Sequence, residues 1–151
     1  MTSAENFTLL IEELAGLLNM GTLTPDEDGI VVLEIDSNMP LYLQYADGRE
    51  SIVLTCEIAQ VPKDTPAALF RRLLGAQLFD QGTGGGKFAL DNETDTLVFS
   101  FERALDGIPF SLFKEILENF IRCCEFWCAE VAANSAEDGG PAVFSIPGIR
   151  V

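Results

Sequence analysis

Four groups of residues in this chain have types and spacing that invite a chemical reading. Gly82-Thr83-Gly84-Gly85-Gly86-Lys87 is a glycine run ending in lysine. A phosphate-cradling loop of that composition follows a strand and places Ser or Thr after the lysine, at the start of a helix. Here a helical pattern precedes the run, Phe88 follows the lysine and a strand pattern comes next. The glycines therefore read as a sharp turn. Asp91, Glu93, Asp95 and Glu102 fall at calcium-loop positions, but the position that needs glycine for the turn is Thr96. Alternation from Thr96 onward reads as strand instead. Cys124 and Cys128 stand one helical turn apart, and two thiolates on one helix lack the other two ligands of a zinc site. With Cys56 and Cys123 they are expected to be reduced thiols, three of the four acting as small hydrophobes in an apolar helix. Carboxylate pairs such as Glu12-Glu13 and Glu115 with Glu118 read as solvated helix faces. The chain has no histidine, the commonest general base and zinc partner. Trp127 keeps the phase of an apolar helical stripe and reads as core. No catalytic constellation emerges, and no enzyme activity, metal or cofactor is expected.

The elements that would carry these residues follow from periodicity. Phe7, Leu10, Ile11, Leu14, Leu17 and Leu18 keep helical spacing, with Thr2 and Glu5 as a capping box and Gly21 as the stop. Ile30–Ile35, Leu41–Tyr45 and Ile52–Ile58 read as three strands, linked by turn signals at Ser37-Asn38 and Asp47-Gly48. A second helix is expected from Ala67 to about Phe79, capped by Asp64 or Thr65 with Pro66 at its first position. Its apolar residues spread over roughly 200° of arc, where one sheet needs on the order of 100°. The surplus points to a second contact surface. Lys87–Leu90 and Leu97–Glu102 form a second hairpin. A long helix runs from near Pro109 to about Val131. The order α-β-β-β-α-β-β-α predicts an α+β fold, a five-stranded antiparallel sheet with three helices. Residues 1–133 form one domain, and 134–151 are an extension, a docked or mobile arm with Val143–Pro147 apolar.

Composition bounds the partners. The chain has 151 residues, 48% of them apolar, and a formal net charge of −15. Its pI is near 4.1. That is core enough for one domain, wrapped in a surface that repels nucleic acid and anionic lipid and attracts basic partners. No stretch has the roughly 18–20 apolar residues of a membrane span, and the N-terminus lacks a basic signal-peptide start. The expected location is the cytoplasm, with no nucleic acid bound and no membrane insertion.

Residues 5–131 resemble the class I type III secretion chaperones of the Tir-chaperone type. The resemblance lies in the element order, Leu73-Leu74 near the end of the second helix, and the glycine turn ending at Gly86. Phe88-Ala89-Leu90-Asp91, the Thr96–Glu102 strand and a long amphipathic helix with a tryptophan near its end complete it. It implies a bacterial homodimer that holds an extended N-proximal segment of a secreted effector, without ATP. It implies a subunit interface on the second helix and fourth strand, for which Leu69, Phe70, Leu73, Leu74 and Phe88 are the candidates. The effector-binding candidates are apolar residues on the strands' minor faces, Ile30, Val32, Tyr42, Val53 and Val98, together with Leu10 and Leu14 of the first helix. The alternative is a protein-binding or regulatory module of the same fold not tied to secretion.

Overall fold

The computed structural model describes residues 1–35 and 39–136. The Ser37-Asn38 turn and the Val143–Pro147 arm lie outside them. Along the chain the elements are α1 (Ser3–Leu17), β1 (Ile30–Ile35), β2 (Met39–Ala46), β3 (Ser51–Gln60), α2 (Ala67–Gln77), β4 (Lys87–Asp91), β5 (Thr96–Ala104) and α3 (Phe110–Ala136). The strands form one five-stranded antiparallel sheet in the order β1-β2-β3-β5-β4, so β1 and β4 are its edges. The α+β expectation stands, with three helices and five strands.

Contacts group the chain into two units, residues 1–55 with 102–118, and residues 56–101 with 119 onward. In the first unit, α1 begins at the expected capping box. The Thr2 hydroxyl accepts from the Glu5 N–H, and the Glu5 carboxylate accepts from the Thr2 N–H. The helix stops earlier than Gly21. Asn19 takes the left-handed conformation (φ 54°), its N–H donates to the Gly16 carbonyl, and the Met20 N–H donates to the Ala15 carbonyl. These two bonds satisfy the last carbonyls as a Schellman cap. Asparagine tolerates that backbone because its short side chain bonds locally. Phe7, Leu10, Ile11 and Leu14 are buried with Val31, Leu33, Leu41, Leu43, Ile52 and Leu54. The alternation of β2 is clean: Leu41 and Leu43 are buried, while Tyr42 is half-buried and Gln44 exposed. The Asn6 amide donates to the carbonyls of Leu105 (2.9 Å) and Ile108 (3.2 Å), pinning the approach to α3. The expected turn at Asp47-Gly48 does join β2 to its neighbour β3, as a short 3-10 turn, Asp47–Arg49, closed by Glu50 in the left-handed region.

In the second unit the core gathers Ile58, Leu69, Leu73, Leu97, Phe99, Phe120, Trp127 and Val131. Phe99 stacks on Phe120 with ring centroids 5.5 Å apart. Neither Asp64 nor Thr65 caps α2. Pro66 stands at the cap, with extended backbone and no side-chain bond, and its carbonyl accepts from the Leu69 N–H. The helix also ends sooner than Phe79, at Gln77, before a 3-10 turn over Leu78–Asp80. By contrast α3 continues past Val131 to Ala136. The Arg72 guanidinium binds its last turns, donating to Glu130 (2.9 Å) and Asn134 (2.6 Å). That tether lies within the second unit and extends the helix beyond its apolar stripe.

The four-thiol expectation is corrected for one pair. Cys56 of β3 and Cys124 of α3 are joined in a disulfide, both fully buried, with Cα atoms 6.8 Å apart. Sequence separation hid this contact, which needs the helix to pack on the strand. Cys123 and Cys128 remain thiols. Reduction should lower the unfolding free energy by about 2–4 kcal/mol, because the bond closes a long loop in the unfolded chain. The urea midpoint with and without a thiol reductant measures this, and an unchanged midpoint would contradict it.

Candidate protein-binding surfaces

Among the described residues, two apolar surfaces are uncovered, one in each unit. In the first unit, β1 is apolar on both sides. Val31 and Leu33 face the core at 1% and 3% exposure, whereas Val32 is 46% exposed. Val32 lies opposite Tyr42 in the β1–β2 register. Ile30, Tyr42 and Val53 share this outer side of their strands and are half-buried. The expected strand candidates Ile30, Val32, Tyr42 and Val53 therefore do occupy a common non-core face. In the second unit, Val98 of β5 is half-buried between the buried Leu97 and Phe99. Leu10 and Leu14 do not join them. Each is only 2% exposed, because the apolar stripe of α1 is the part that must pack against the sheet.

The free edge of β1 has a defined chemistry. The Asp26 N–H donates to the Ile30 carbonyl, and the Ile30 N–H donates to the Asp26 carboxylate, both at 2.9 Å. The backbone of Ile30 thus points away from β2. In an antiparallel pair this direction alternates, so Val32 and Glu34 also aim their N–H and C=O groups outward. An added strand would find those groups beside the Val32–Tyr42 pair. Charge frames the same region. Residues 1–48 contain no lysine or arginine, while carboxylates stand at Glu5, Glu12, Glu13, Asp26, Glu27, Asp28, Glu34, Asp36 and Asp47. Further exposed apolar side chains, Leu17, Leu18 and Met20, follow the end of α1. Sequence reading assigned Leu17 and Leu18 to the helix stripe and overlooked their exposure.

In the second unit, α2 has a buried apolar stripe on one side and, on the other, exposed apolar residues that share the surface with Arg71. At about 100° per residue, Leu69, Leu73 and Ala76 fall on one side and Leu74, Gly75 and Leu78 on the other. The first three are buried. Leu74 is 67% exposed, Leu78 59% and Phe79 74%, with Leu90 of β4 at 38%. This is the surplus arc expected from the sequence, left uncovered. Among the interface candidates, Leu74 is therefore fully presented, Phe70 and Phe88 are half-buried, and Leu69 and Leu73 belong to the core. Leu78, Phe79 and Leu90 were not among the candidates.

Phe79 is presented by a rigid turn. Phe79 and Asp80 both have positive φ, 54° and 57°, a conformation costing on the order of 1 kcal/mol or more per residue. The surrounding bonds hold it. Gly82 donates its N–H to the Ala76 carbonyl (2.9 Å), Gly84 to the Asp80 carbonyl (3.2 Å) and Gly86 to the Thr83 carbonyl (3.0 Å). The Trp127 indole N–H donates to the Gly82 carbonyl at 3.1 Å, and the Phe88 N–H to the Gln77 amide oxygen at 2.6 Å. Gly86 lies under the Phe99 ring, where an added Cβ would stand 2.1 Å from Cζ. The glycine run is thus packed into the core and is not a phosphate cradle.

The remaining chemistry-bearing groups are structural. The Asp91 carboxylate accepts from the Glu93 N–H in the β4–β5 turn, and that bond first of all holds its pKa below the ordinary value. Burial pushes the Cys123 thiol up to about 12 and raises Cys128 as well, so neither is activated as a nucleophile. Among the described residues no group of three or more His, Cys, Asp or Glu is placed to hold a metal, and no helix is long and apolar enough to cross a membrane. A cleft of about 330 Å³ at the start of α1 is lined by residues including Thr2, Asn6, Leu105, Asp106 and Ile108, with no cysteine or paired carboxylate among its lining residues.

Solved structures share this fold. A chain of the ExsC–ExsE complex superposes with a TM-score of 0.71 at 20% identity, covering 85% of this chain and 96% of that one. A chain of the HopA1–SchA chaperone–effector complex gives 0.69 at 19% identity, covering 82% and 94%. YbjN of E. coli, described as a putative transcription regulator, gives 0.57 at 15% identity, covering 82% and 92%. No curated protein sequence matches. The family model of the Tir chaperone proteins matches residues 9–128, the span that holds both surfaces' strands and helices. The chain belongs to the Tir chaperone protein (CesT) family.

Proposed function

We propose that the protein is a type III secretion chaperone that binds an extended, N-proximal segment of one effector, and does so as a homodimer in the bacterial cytoplasm. The observation that carries this reading is the open β1 edge with Val32 and Tyr42 beside it. An extended segment adds as a strand there, satisfying the outward groups of Val32 and Glu34 while its side chains meet the apolar face. Chaperone–effector pairing in a structural neighbour supports it. Ile30, Val32, Tyr42, Val53 and Val98 are the apolar contacts of the cargo. The acid-only stretch of residues 1–48 selects a segment that carries lysine or arginine between its apolar residues. Equilibrium strand addition needs no ATP, and the packing of the glycine run against Phe99 and Trp127 leaves no phosphate loop. The exposed stripe of α2 with Leu90 and Phe88 forms the subunit interface. The absence of histidine and the unactivated thiols support a binding role over catalysis.

Co-purification from the native host with mass spectrometry tests this. One major partner is expected, protected from protease near its N-terminus. Its affinity should fall about tenfold or more between low salt and roughly 0.5 M salt, as the acidic face is screened. Many unrelated partners, or salt-independent binding, would refute the reading. The fold of YbjN favours one alternative, a regulatory module. A partner that is neither an effector nor a secretion component would support that instead.

A further inference from the structure

We infer that residues 137–151 fold back on the exposed side of α2, setting Glu137 and Asp138 against Arg71 and the apolar run Ala142–Ile149 over Leu74, Leu78 and Phe79. There the arm competes with a second copy, so the inference rests on the interface reading above and adds its regulation by a segment of the same chain. The last turns of α3 fix where that segment starts. Arg72 of α2 donates to Glu130 and Asn134, so the chain leaves α3 at Ala136 beside α2 and within the same unit. At about 100° per residue, the exposed side of α2 runs from Arg72 through Gly75 and Arg71 to Leu78 and Leu74. Arg71 is exposed, and among the described residues no carboxylate pairs with it. The next carboxylates along the chain after Glu130 are Glu137 and Asp138. Gly139-Gly140-Pro141 follow, a turn by composition. Fully extended, residues 137–141 span about 17 Å, whereas a helix with its side chains is about 10–12 Å across. The apolar run therefore reaches Leu74 and Leu78 with α3 intact.

Charge and tethering select this occupant. The chain carries −15 overall, yet residues 73–79 of α2 and residues 139–149 are both uncharged. An uncharged apolar run on an uncharged apolar face meets none of the repulsion that an acidic surface imposes elsewhere. A segment held by so short a linker is present at an effective concentration of about millimolar, which a separate copy in dilute solution does not match. The arm covers one stripe, whereas pairing covers a stripe on each copy. It therefore weakens the dimer without abolishing it.

The test compares wild type with the full chain carrying Phe144→Ser and Ile146→Ser together, a change that adds no charge. Circular dichroism should show unchanged helicity. At a concentration where both are monomeric, hydrogen exchange over residues 73–81, read by mass spectrometry, should be about fivefold faster or more in the variant. Sedimentation equilibrium should show the variant's dimer about fivefold tighter or more, because the competing arm is weakened. Unchanged exchange, or a dimer no tighter than the wild type's, would overturn the proposal. In a second arm, Arg71→Glu should speed the same exchange, and adding Glu137→Arg and Asp138→Arg should restore the wild-type rate. A charge swap that restores nothing would overturn the placement of the arm. A wild type that never pairs would remove the dimer reading alone, with the exchange rates still deciding whether the arm docks.

Discussion

Trp127→Ala is expected to lower the unfolding free energy by about 3–5 kcal/mol, the usual cost of emptying a large aromatic site. Against a total of about 5–15 kcal/mol for a domain, that places the variant near the edge of folding. The indole is 1% exposed. It meets Phe88 edge-on at 5.0 Å and Phe126 edge-on at 5.2 Å, so its removal opens a cavity that these two rings cannot close by small shifts. It also ties down the Gly82 carbonyl, and with it the turn that presents Phe79. Urea unfolding followed by far-ultraviolet circular dichroism measures the loss, since the chain's single tryptophan is gone in the variant. Trp127→Phe should recover most of the stability. A shift below about 1 kcal/mol for Trp127→Ala would show that the site collapses and that its burial contributes little.

Leu73→Glu and Leu74→Glu should differ as core differs from contact surface. Leu73 is 3% exposed, and a carboxylate there has no partner, so this variant should lose several kcal/mol and fail to fold. Leu74 is 67% exposed, and its substitution should move the stability by no more than about 0.5 kcal/mol. Light scattering should then show Leu74→Glu at half the wild-type mass with an unchanged far-ultraviolet spectrum. A dimeric Leu74→Glu would remove the exposed stripe of α2 from the interface. Sequence reading names Leu73 and Leu74 alike as interface candidates and offers no choice between them.

That ambiguity shows where periodicity stops being informative. The order of helices and strands, the capping box at Thr2 and the alternation of β2 and β3 were readable because each depends on neighbours along the chain. The two-sided apolarity of α2 was readable too, but not which side the sheet would take. Leu73 and Leu74 are equivalent until tertiary packing buries one. The left-handed pair at Phe79 and Asp80 was hidden for the same reason. Its frame is the Trp127–Gly82 bond and the Gly86–Phe99 approach, contacts between residues far apart in sequence. The glycine run suggested a turn without showing that the turn would lift an aromatic ring into solvent. On β1, apolar residues on both faces, with Glu34 the exception, made the outer side a binding candidate. The free edge needed the strand order, and its outward groups needed the Asp26–Ile30 bonds. Leu10 and Leu14 were placed correctly on the stripe of α1, and that stripe is spent on the core.

The cation-free stretch around β1 has a consequence for the empty protein. A bare strand edge flanked by an apolar face is the kind of template on which identical chains stack into fibres. Here each such edge carries Glu34 within it and Asp26–Asp28 at its start. Two identical edges approaching one another bring only negative charge, so self-templating is suppressed before any backbone bond can form. The same carboxylates that would recruit a basic segment thus keep the unloaded chain from polymerising, which lets the edge stay open while it waits.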